Sequence, residues 1–377
     1  MKITYISEGL YKMDIYPNPN RGPQVQIWGI AKELEKKGYE ESILKAGIND
    51  KKEVVNNLSL LNLKSRYRHD IFRGIPSQLL FSKKSVKIIQ REKPDILSLH
   101  FRFSSYFPSK LNIPKIFTIH VQEALDYFKP YAVRRHILNY PLFYFKKKVE
   151  TEVISNSDGI VTLNKFMENY LKNKGYSNVR MIPSAINPGD FYNKGDDNFI
   201  LYAGRFDWYK RVDILIKAFS MLDLGYKKNF KLKIVGTGYR GRYLKDLVKS
   251  ENLEKFVEFI PWLERNKLID LMSRCSILVL PSLFETFGLV VIEAMASSKP
   301  VIASNIPGPQ DIIKHGYDGF LFERENIQTL KGYLELLLED ENLRRKIGMR
   351  ARKTVEEKYT FEKIAENYIT FFNELLE

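Results

Sequence analysis

The feature that most constrains this chain is a repeated alternation of short apolar runs with helical patterns. KITYIS (2–7) leads through a Pro/Asn/Gly loop at 16–23 into VQIWGIAKELEKKGYE (25–40), whose apolar spacing suits a helix stopped by Gly38. PDILSLH (94–100), PKIFTIH (114–120) and GIVTLN (159–164) are short strands bounded by breakers; FMENYLKNKG (166–175) is a helix, and VRMIPSA (179–185) closes the series. A polar stretch, INPGDFYNKGDDN (186–198), reads as a linker, and the alternation then restarts. NFILYAGRF (198–206), FKLKIVGTG (230–238), VEFIPW (257–262), SILVLP (276–281) and PVIAS (300–304) are its strands. The stretches 212–222, 243–253, 265–275 and 289–298 are its helices, and the tail from about 326 reads as helical throughout. Such β/α alternation implies parallel sheets covered by helices. Ligands of open α/β sheets sit beyond the C-terminal strand ends, so the cleft between two such halves is the expected active site.

Composition excludes several classes. At 44% apolar and 28% charged residues the chain is ordinary globular protein, not a disordered one. No apolar run approaches the ~18–20 residues of a bilayer span. The opening MKITYISEGL lacks a basic region before a long apolar core and is expected to be a buried strand, not a secretory leader. One cysteine, Cys275, excludes a disulfide framework and a cysteine-based zinc site. His69, His100, His120, His136 and His315 are scattered without metal-ligand spacing, so no metal and no other cofactor is expected. The expected setting is a reducing cytoplasm. Sixty basic against forty-five acidic residues give a formal charge of +15. That excess favours phosphates, nucleic acid or anionic lipid as partners; a solvated basic surface accounts for it equally.

The most informative stretch is LPSLFETFGLVVIEAMASSKPVIAS (280–304). A strand ends at Leu280, a loop carries Ser282, Glu285, Thr286, Phe287 and Gly288, and a helix begins near Leu289. Unpaired N–H groups and the positive end of the helix dipole at that start suit a phosphate, and Gly288 lets a ligand approach the backbone. Glu293 lies one turn inside an otherwise apolar helix, where a carboxylate requires a partner. A vicinal diol such as ribose supplies two donors; a local Lys or a backbone group is the alternative. In AGRFDWYKRVD (203–213), Arg205 sits just past a strand end and Lys210 follows, opening a helix. Two such cations suit a diphosphate, although surface charges look the same in sequence. IVGTG (234–238) places Gly236 and Gly238 at a further strand exit, where a tight turn is sufficient explanation.

In this order the pieces resemble glycosyltransferase family 4, retaining nucleotide-sugar glycosyltransferases of the two-domain GT-B fold. Glu285, within S-x-x-E-T-F-G, and Glu293 match the family's pair of glutamates with seven residues between them; Gly204, Arg205 and Lys210 match its strand-G-R-x-x-x-x-K element; and HGYDGFLF (315–322) is similar to its closing turn. The resemblance covers nearly the whole chain, weakest at 40–90 and strongest at 198–323. It implies an α/β chain of two Rossmann-like β/α/β domains facing across a cleft. Residues 1–185 would be an acceptor-binding domain and 186–360 a donor-binding domain, with 361–377 a helix crossing back to the first.

It also implies roles. Arg205 and Lys210 would bind the donor diphosphate, Glu285 would contact the transferred sugar, the amides of Phe287, Gly288 and Leu289 would hold sugar or phosphate oxygens, and Glu293 would bind ribose hydroxyls. Gly22, Ser282, Thr286, Gly204 and Gly236 would complete the donor site. His120, ending FTIH, matches the N-domain histidine that faces the donor sugar; His100, ending ILSLH, occupies a similar strand-end place. The implied enzyme is a hexosyltransferase moving sugar from a UDP- or GDP-linked donor to a saccharide or lipid-linked acceptor in glycan or cell-surface polysaccharide synthesis, without a metal. There are departures. Arg21 stands where the family's loop has the first of two glycines, with Gly22 kept, and Arg211 stands where Gly often follows the lysine.

Two basic aromatic segments, 127–148 and 66–85, are of the kind that lies at anionic membrane surfaces. A peripheral place at the inner face of the membrane would follow; exposed basic helix faces are the alternative. A GT-B epimerase or sugar phosphorylase is the competing enzyme reading, disfavoured by the glutamate spacing. A non-catalytic sugar-binding module is disfavoured by the intact phosphate constellation. Nucleic acid is not expected as a partner, since no recognisable binding motif accompanies the charge.

Overall fold

A computed structural model describes residues 1–7, 22–47, 51–55, 58–64, 71–120 and 140–377. Arg21, much of the segment 127–148 and the start of 66–85 lie outside the described residues. These residues divide into two compact units: Met1–Pro183 together with Phe361–Glu377, and Ser184–Thr360.

The first unit carries β1 (Lys2–Ser7), β2 (Glu40–Gly47), β3 (Lys51–Val55), β4 (Leu58–Lys64), β5 (Ile96–His100), β6 (Lys115–Thr118), β7 (Gly159–Thr162) and β8 (Val179–Met181). They form one sheet in the order β3-β4-β2-β1-β5-β6-β7-β8. Every pairing is parallel except that of β3 with β4. α1 (Gly22–Lys36), α2 (Ile71–Glu92), α3 (Tyr140–Ser155) and α4 (Lys165–Asn173) are the described crossovers. Parallel neighbours need such crossovers, and both faces are then covered. β1 and β5 are accordingly apolar and buried along their length, and Ile6, Leu97, Leu99 and Phe117 pack with Phe81, Val153 and Met167 from the helices.

The second unit holds β9 (Phe199–Ala203), α5 (Val212–Ser220), α6 (Leu224–Asn229), β10 (Lys231–Val235), α7 (Gly241–Ser250), β11 (Val257–Ile260), α8 (Arg265–Met272), β12 (Ile277–Leu280), α9 (Leu289–Ala296), β13 (Val301–Ser304), α10 (Pro309–Ile312), β14 (Phe320–Phe322), α11 (Ile327–Glu339) and α12 (Glu341–Lys358). The sheet order is β11-β10-β9-β12-β13-β14, all parallel. Counted from its own first strand this is the doubly wound order 3-2-1-4-5-6, and the winding reverses between β9 and β12. The turns leaving those two strands carry Gly204–Lys210 and Ser282–Gly288, so the topology brings together two motifs far apart in sequence.

The tail is not one helix. Asp340 breaks it, and its side chain accepts from the N–H of Leu343 at 2.8 Å, capping α12. A second break at Tyr359–Thr360 precedes α13 (Phe361–Leu376), which belongs to the first unit. There the ring of Phe361 fills the space a side chain at Gly29 would need, and Phe371 does the same at Gly159.

Candidate functional site

In the second unit the frame of the site is backbone. Gly204 N–H donates to Val235 O at 3.0 Å and Phe206 N–H to Thr237 O at 2.9 Å, fastening the exit of β9 to the exit of β10. Gly236 makes this approach possible: its φ is +140°, and a Cβ there would overlap the carbonyl oxygen of Gly204. A Cβ at Gly238 would likewise meet the backbone of Phe206. The N–H of Gly236 donates to Ile260 O at 3.0 Å. The structure therefore gives the Gly-x-Gly turn a packing reason, the tight-turn alternative left open by the sequence.

On this frame stand the cations. The hydroxyl of Tyr202 donates to Arg205 O at 2.9 Å, pinning the turn. The Arg205 side chain is 62% exposed; it pairs with Asp207, and its Nη2 bonds the Tyr209 hydroxyl at 2.8 Å. Burial pushes the Tyr209 phenol up to about 12, against the pull of Arg205. Lys210 does not open a helix as the sequence suggests. It ends a short 3-10 turn, Trp208–Lys210, and Arg211 separates it from α5 with φ 48° and ψ 41°. That left-handed position is the physical reason a glycine is favoured there. Arg211 occupies it while its guanidinium bonds Asp213 at 3.2 and 3.3 Å and pairs with Glu325.

Lys210 Nζ lies 2.6 Å from Glu285 Oε1, and Ser282 Oγ donates to the same oxygen at 2.7 Å. The two side chains of the ion pair are 17% and 11% exposed. Leu283 N–H donates to Tyr209 O at 2.7 Å and binds the two turns together. Gly288, at φ 101°, caps α9 with no side-chain cap, and Phe287 beneath it is buried edge-on against Tyr359 at 5.8 Å. The Phe287 carbonyl in turn rests on Gly308, where a Cβ would overlap it. Thr286 and Leu289 are half-buried beside the start of α9, where the first N–H groups of a helix have no carbonyl partner within it.

Glu293 is 12% exposed, and its Oε1 accepts from Arg265 Nη1 at 2.7 Å. Burial raises its carboxyl above the ordinary range, with Arg265 opposing. Sequence reasoning missed Arg265; the available signal was that a carboxylate inside an apolar helix requires a partner. Gly22 is the first residue of α1.

The first unit brings His120 together with His100. His100 Nδ1 and His120 Nε2 are 2.8 Å apart, Ser98 Oγ is 3.0 Å from His100 Nε2, and the rings stack at 5.1 Å. Burial lowers the His120 pKa to about 4; burial, and then the charge of His120, hold His100 well below its usual range. Both are neutral at physiological pH and form a Ser–His–His hydrogen-bonded row. Among the described residues no cluster of His, Cys, Asp or Glu is placed to hold a metal ion, and no helix is long and apolar enough to cross a membrane.

Residues 20–190 match the family model described as Glycosyltransferase Family 4, and residues 187–354 match Glycosyl transferases group 1. An uncharacterized glycosyltransferase of Methanocaldococcus jannaschii is 32% identical over 309 residues, 81% of this chain and 82% of the relative. Sucrose-phosphate synthase from Thermosynechococcus elongatus superposes with a TM-score of 0.82 at 20% identity, over 99% of this chain and 98% of that one. The Anabaena protein HepE, solved in complex with UDP, gives 0.74 at 14% identity over 99% and 100%. The chain belongs to the family 4, group 1 glycosyltransferases. It is a transferase enzyme with the two-domain α/β architecture of the GT-B fold.

Proposed function

We propose that this glycosyltransferase is a retaining hexosyltransferase that takes its sugar from a nucleoside diphosphate donor bound in the second unit. The observation that carries the reading is the convergence of Lys210 and Ser282 on one carboxylate oxygen of Glu285, beside Arg205 and the start of α9, which has no side-chain cap. Breaking the anomeric C–O bond leaves negative charge on the diphosphate. Preorganised cations and helix N–H groups stabilise that charge where it develops. In this proposal Arg205 and Lys210 take the diphosphate, the Phe287–Leu289 amides take phosphate or sugar oxygens, Glu285 takes the sugar, and Glu293 takes the ribose. The acceptor hydroxyl attacks the face the diphosphate leaves, with the leaving phosphate as proton acceptor, and no protein nucleophile is assigned. The charge is supplied without a metal.

Uracil is the favoured base, supported by the UDP complex of the Anabaena relative in fold. The acceptor is read as a saccharide or a lipid-linked saccharide. The described end of the basic segment, with Tyr144 and Phe145 exposed beside Lys146, Lys147 and Lys148, favours contact with an anionic surface. The deciding experiment is calorimetric titration of UDP, GDP and ADP in EDTA, on wild type and Glu293→Ala. Binding of one nucleotide, weakened by about 1–3 kcal/mol in the variant, is the expected result. No binding of any of the three overturns the donor site.

A further inference from the structure

Glu293 can serve a ribose only if its carboxylate is held in place, and the structure shows what holds it. Resting on the donor-site reading above, we propose that Arg265 is a positioning residue that aims the Glu293 carboxylate at a ribose diol, with the Phe191 ring as its platform. Three observations converge on Arg265. Its Nη1 donates to Glu293 Oε1 at 2.7 Å, a charge-assisted bond with both side chains largely shielded. It is the first residue of α8, where a cation opposes the helix dipole, so its partner and not its helix favours it there. Its guanidinium lies over the Phe191 ring, 5.5 Å from the centroid.

Phe191 is itself fixed. It is 2% exposed. Its carbonyl accepts from Arg352 Nη1 at 3.1 Å, and that same nitrogen donates to Ala296 O at 2.7 Å, the last residue of α9. Phe191 is thus tied through Arg352 to the end of α9 and through Arg265 to Glu293 in its middle. The carboxylate has about four lone-pair sites, and Arg265 takes one. Those left suffice for two hydroxyl donors, provided the group is ionised. Arg265 is the charged group acting on Glu293 among the described residues, and burial works against it. Without Arg265 burial acts on Glu293 unopposed and raises its carboxyl further, and a carboxyl that takes up a proton turns one acceptor oxygen into a donor and holds a diol more weakly.

The test compares UDP with 2′,3′-dideoxy-UDP, titrated by calorimetry at pH 6 and pH 8. The proteins are wild type, Glu293→Gln, Arg265→Gln, Arg265→Lys and Phe191→Leu, each checked for cooperative melting. Wild type is expected to prefer the ribose nucleotide by about tenfold. Glu293→Gln abolishes that preference at both pH values. Arg265→Gln loses most of it, and what remains shrinks from pH 8 to pH 6 more steeply than in wild type. Arg265→Lys and Phe191→Leu, the milder changes, lose part of it and report in the same way if Arg265→Gln does not fold. Loss of the preference in Glu293→Gln with full retention in the Arg265 variants overturns the positioning role and leaves the donor site standing. Full preference in Glu293→Gln, or none in wild type, overturns the ribose assignment itself.

Discussion

Lys210 and Glu285, seventy-five residues apart in the chain, form a 2.6 Å ion pair where the turns leaving β9 and β12 meet. The pair is shared with the Ser282 hydroxyl and sits at the point where the strand order reverses. A donor diphosphate would compete with Glu285 for the same ammonium. Lys210→Ala is expected to lower kcat/KM by about a hundredfold or more, the scale of removing one preorganised charge-stabilising group. Lys210→Arg is expected to recover part of that loss. Steady-state donor hydrolysis or transfer kinetics check this, and wild-type kinetics in Lys210→Ala would remove Lys210 from the machinery.

The His100–His120 pair sets the direction of acid stability. Its neutral form is the native one, with the His120 pKa lowered from 6.5 to about 4. Between those values the unfolded chain binds a proton that the folded chain does not, so stability falls as pH drops. It is fully present above about pH 6.5. Replacing both residues by Asn is expected to flatten this limb, at some cost near neutral pH from lost packing. Urea midpoints measured from pH 4 to pH 8 decide it; parallel curves for wild type and the double variant would contradict it.

Gly236→Ala is expected to be severely destabilising. The new Cβ overlaps the Gly204 carbonyl at a φ of +140°, so overpacking and backbone strain act together. About 2–4 kcal/mol is the expected loss. Thermal melting of the variant against Gly175→Ala, where φ is +92° but nothing lies within 4 Å, separates the overlap from the strain.

Arg211→Gly removes a strained backbone position and an ion-pair cluster at once. The strain is about 1–2 kcal/mol, but the Asp213 pair is largely buried, its side chains 19% and 8% exposed, and breaking a buried pair costs about 3–5 kcal/mol, a loss softened here by Arg240, which still faces Asp213 at 3.6 Å. Arg211→Gly is therefore expected to be net destabilising, but by about 1–2 kcal/mol less than Arg211→Ala, which keeps the strain and also loses the pairs. Denaturant unfolding of both variants distinguishes them.

Much of this was legible in the sequence because the signals are local. β9, β10 and β12 are apolar runs ended by Gly or Pro, and Arg205, Lys210, Glu285 and Glu293 lie at fixed offsets from those ends. What the sequence hid is long-range. Arg265 and Phe191 look like an ordinary surface cation and a linker aromatic until α8 and the stretch after Pro188 are brought against α9. The His100–His120 bond depends on adjacent parallel strands in register, with His100 beside Thr118. The β2–β4 region, with charged residues among its apolar ones, offers no clean period, since half of the β3–β4 pairing faces a sheet edge. The break at Asp340 was readable as a cap only once a helix was known to start after it.

The placement of α13 bears on the order in which the chain becomes native during synthesis. Ser184–Thr360 is continuous, so all of it emerges from the ribosome before α13 does. The first unit has to wait: the cavity beside Gly29 stays empty until Phe361 arrives, and Thr118 lacks the Tyr368 hydroxyl 3.4 Å away. The emerging first unit therefore exposes apolar surface on α1 for the whole time the second unit is being made. That interval, not the finished enzyme, is where the chain is most open to aggregation and to chaperones.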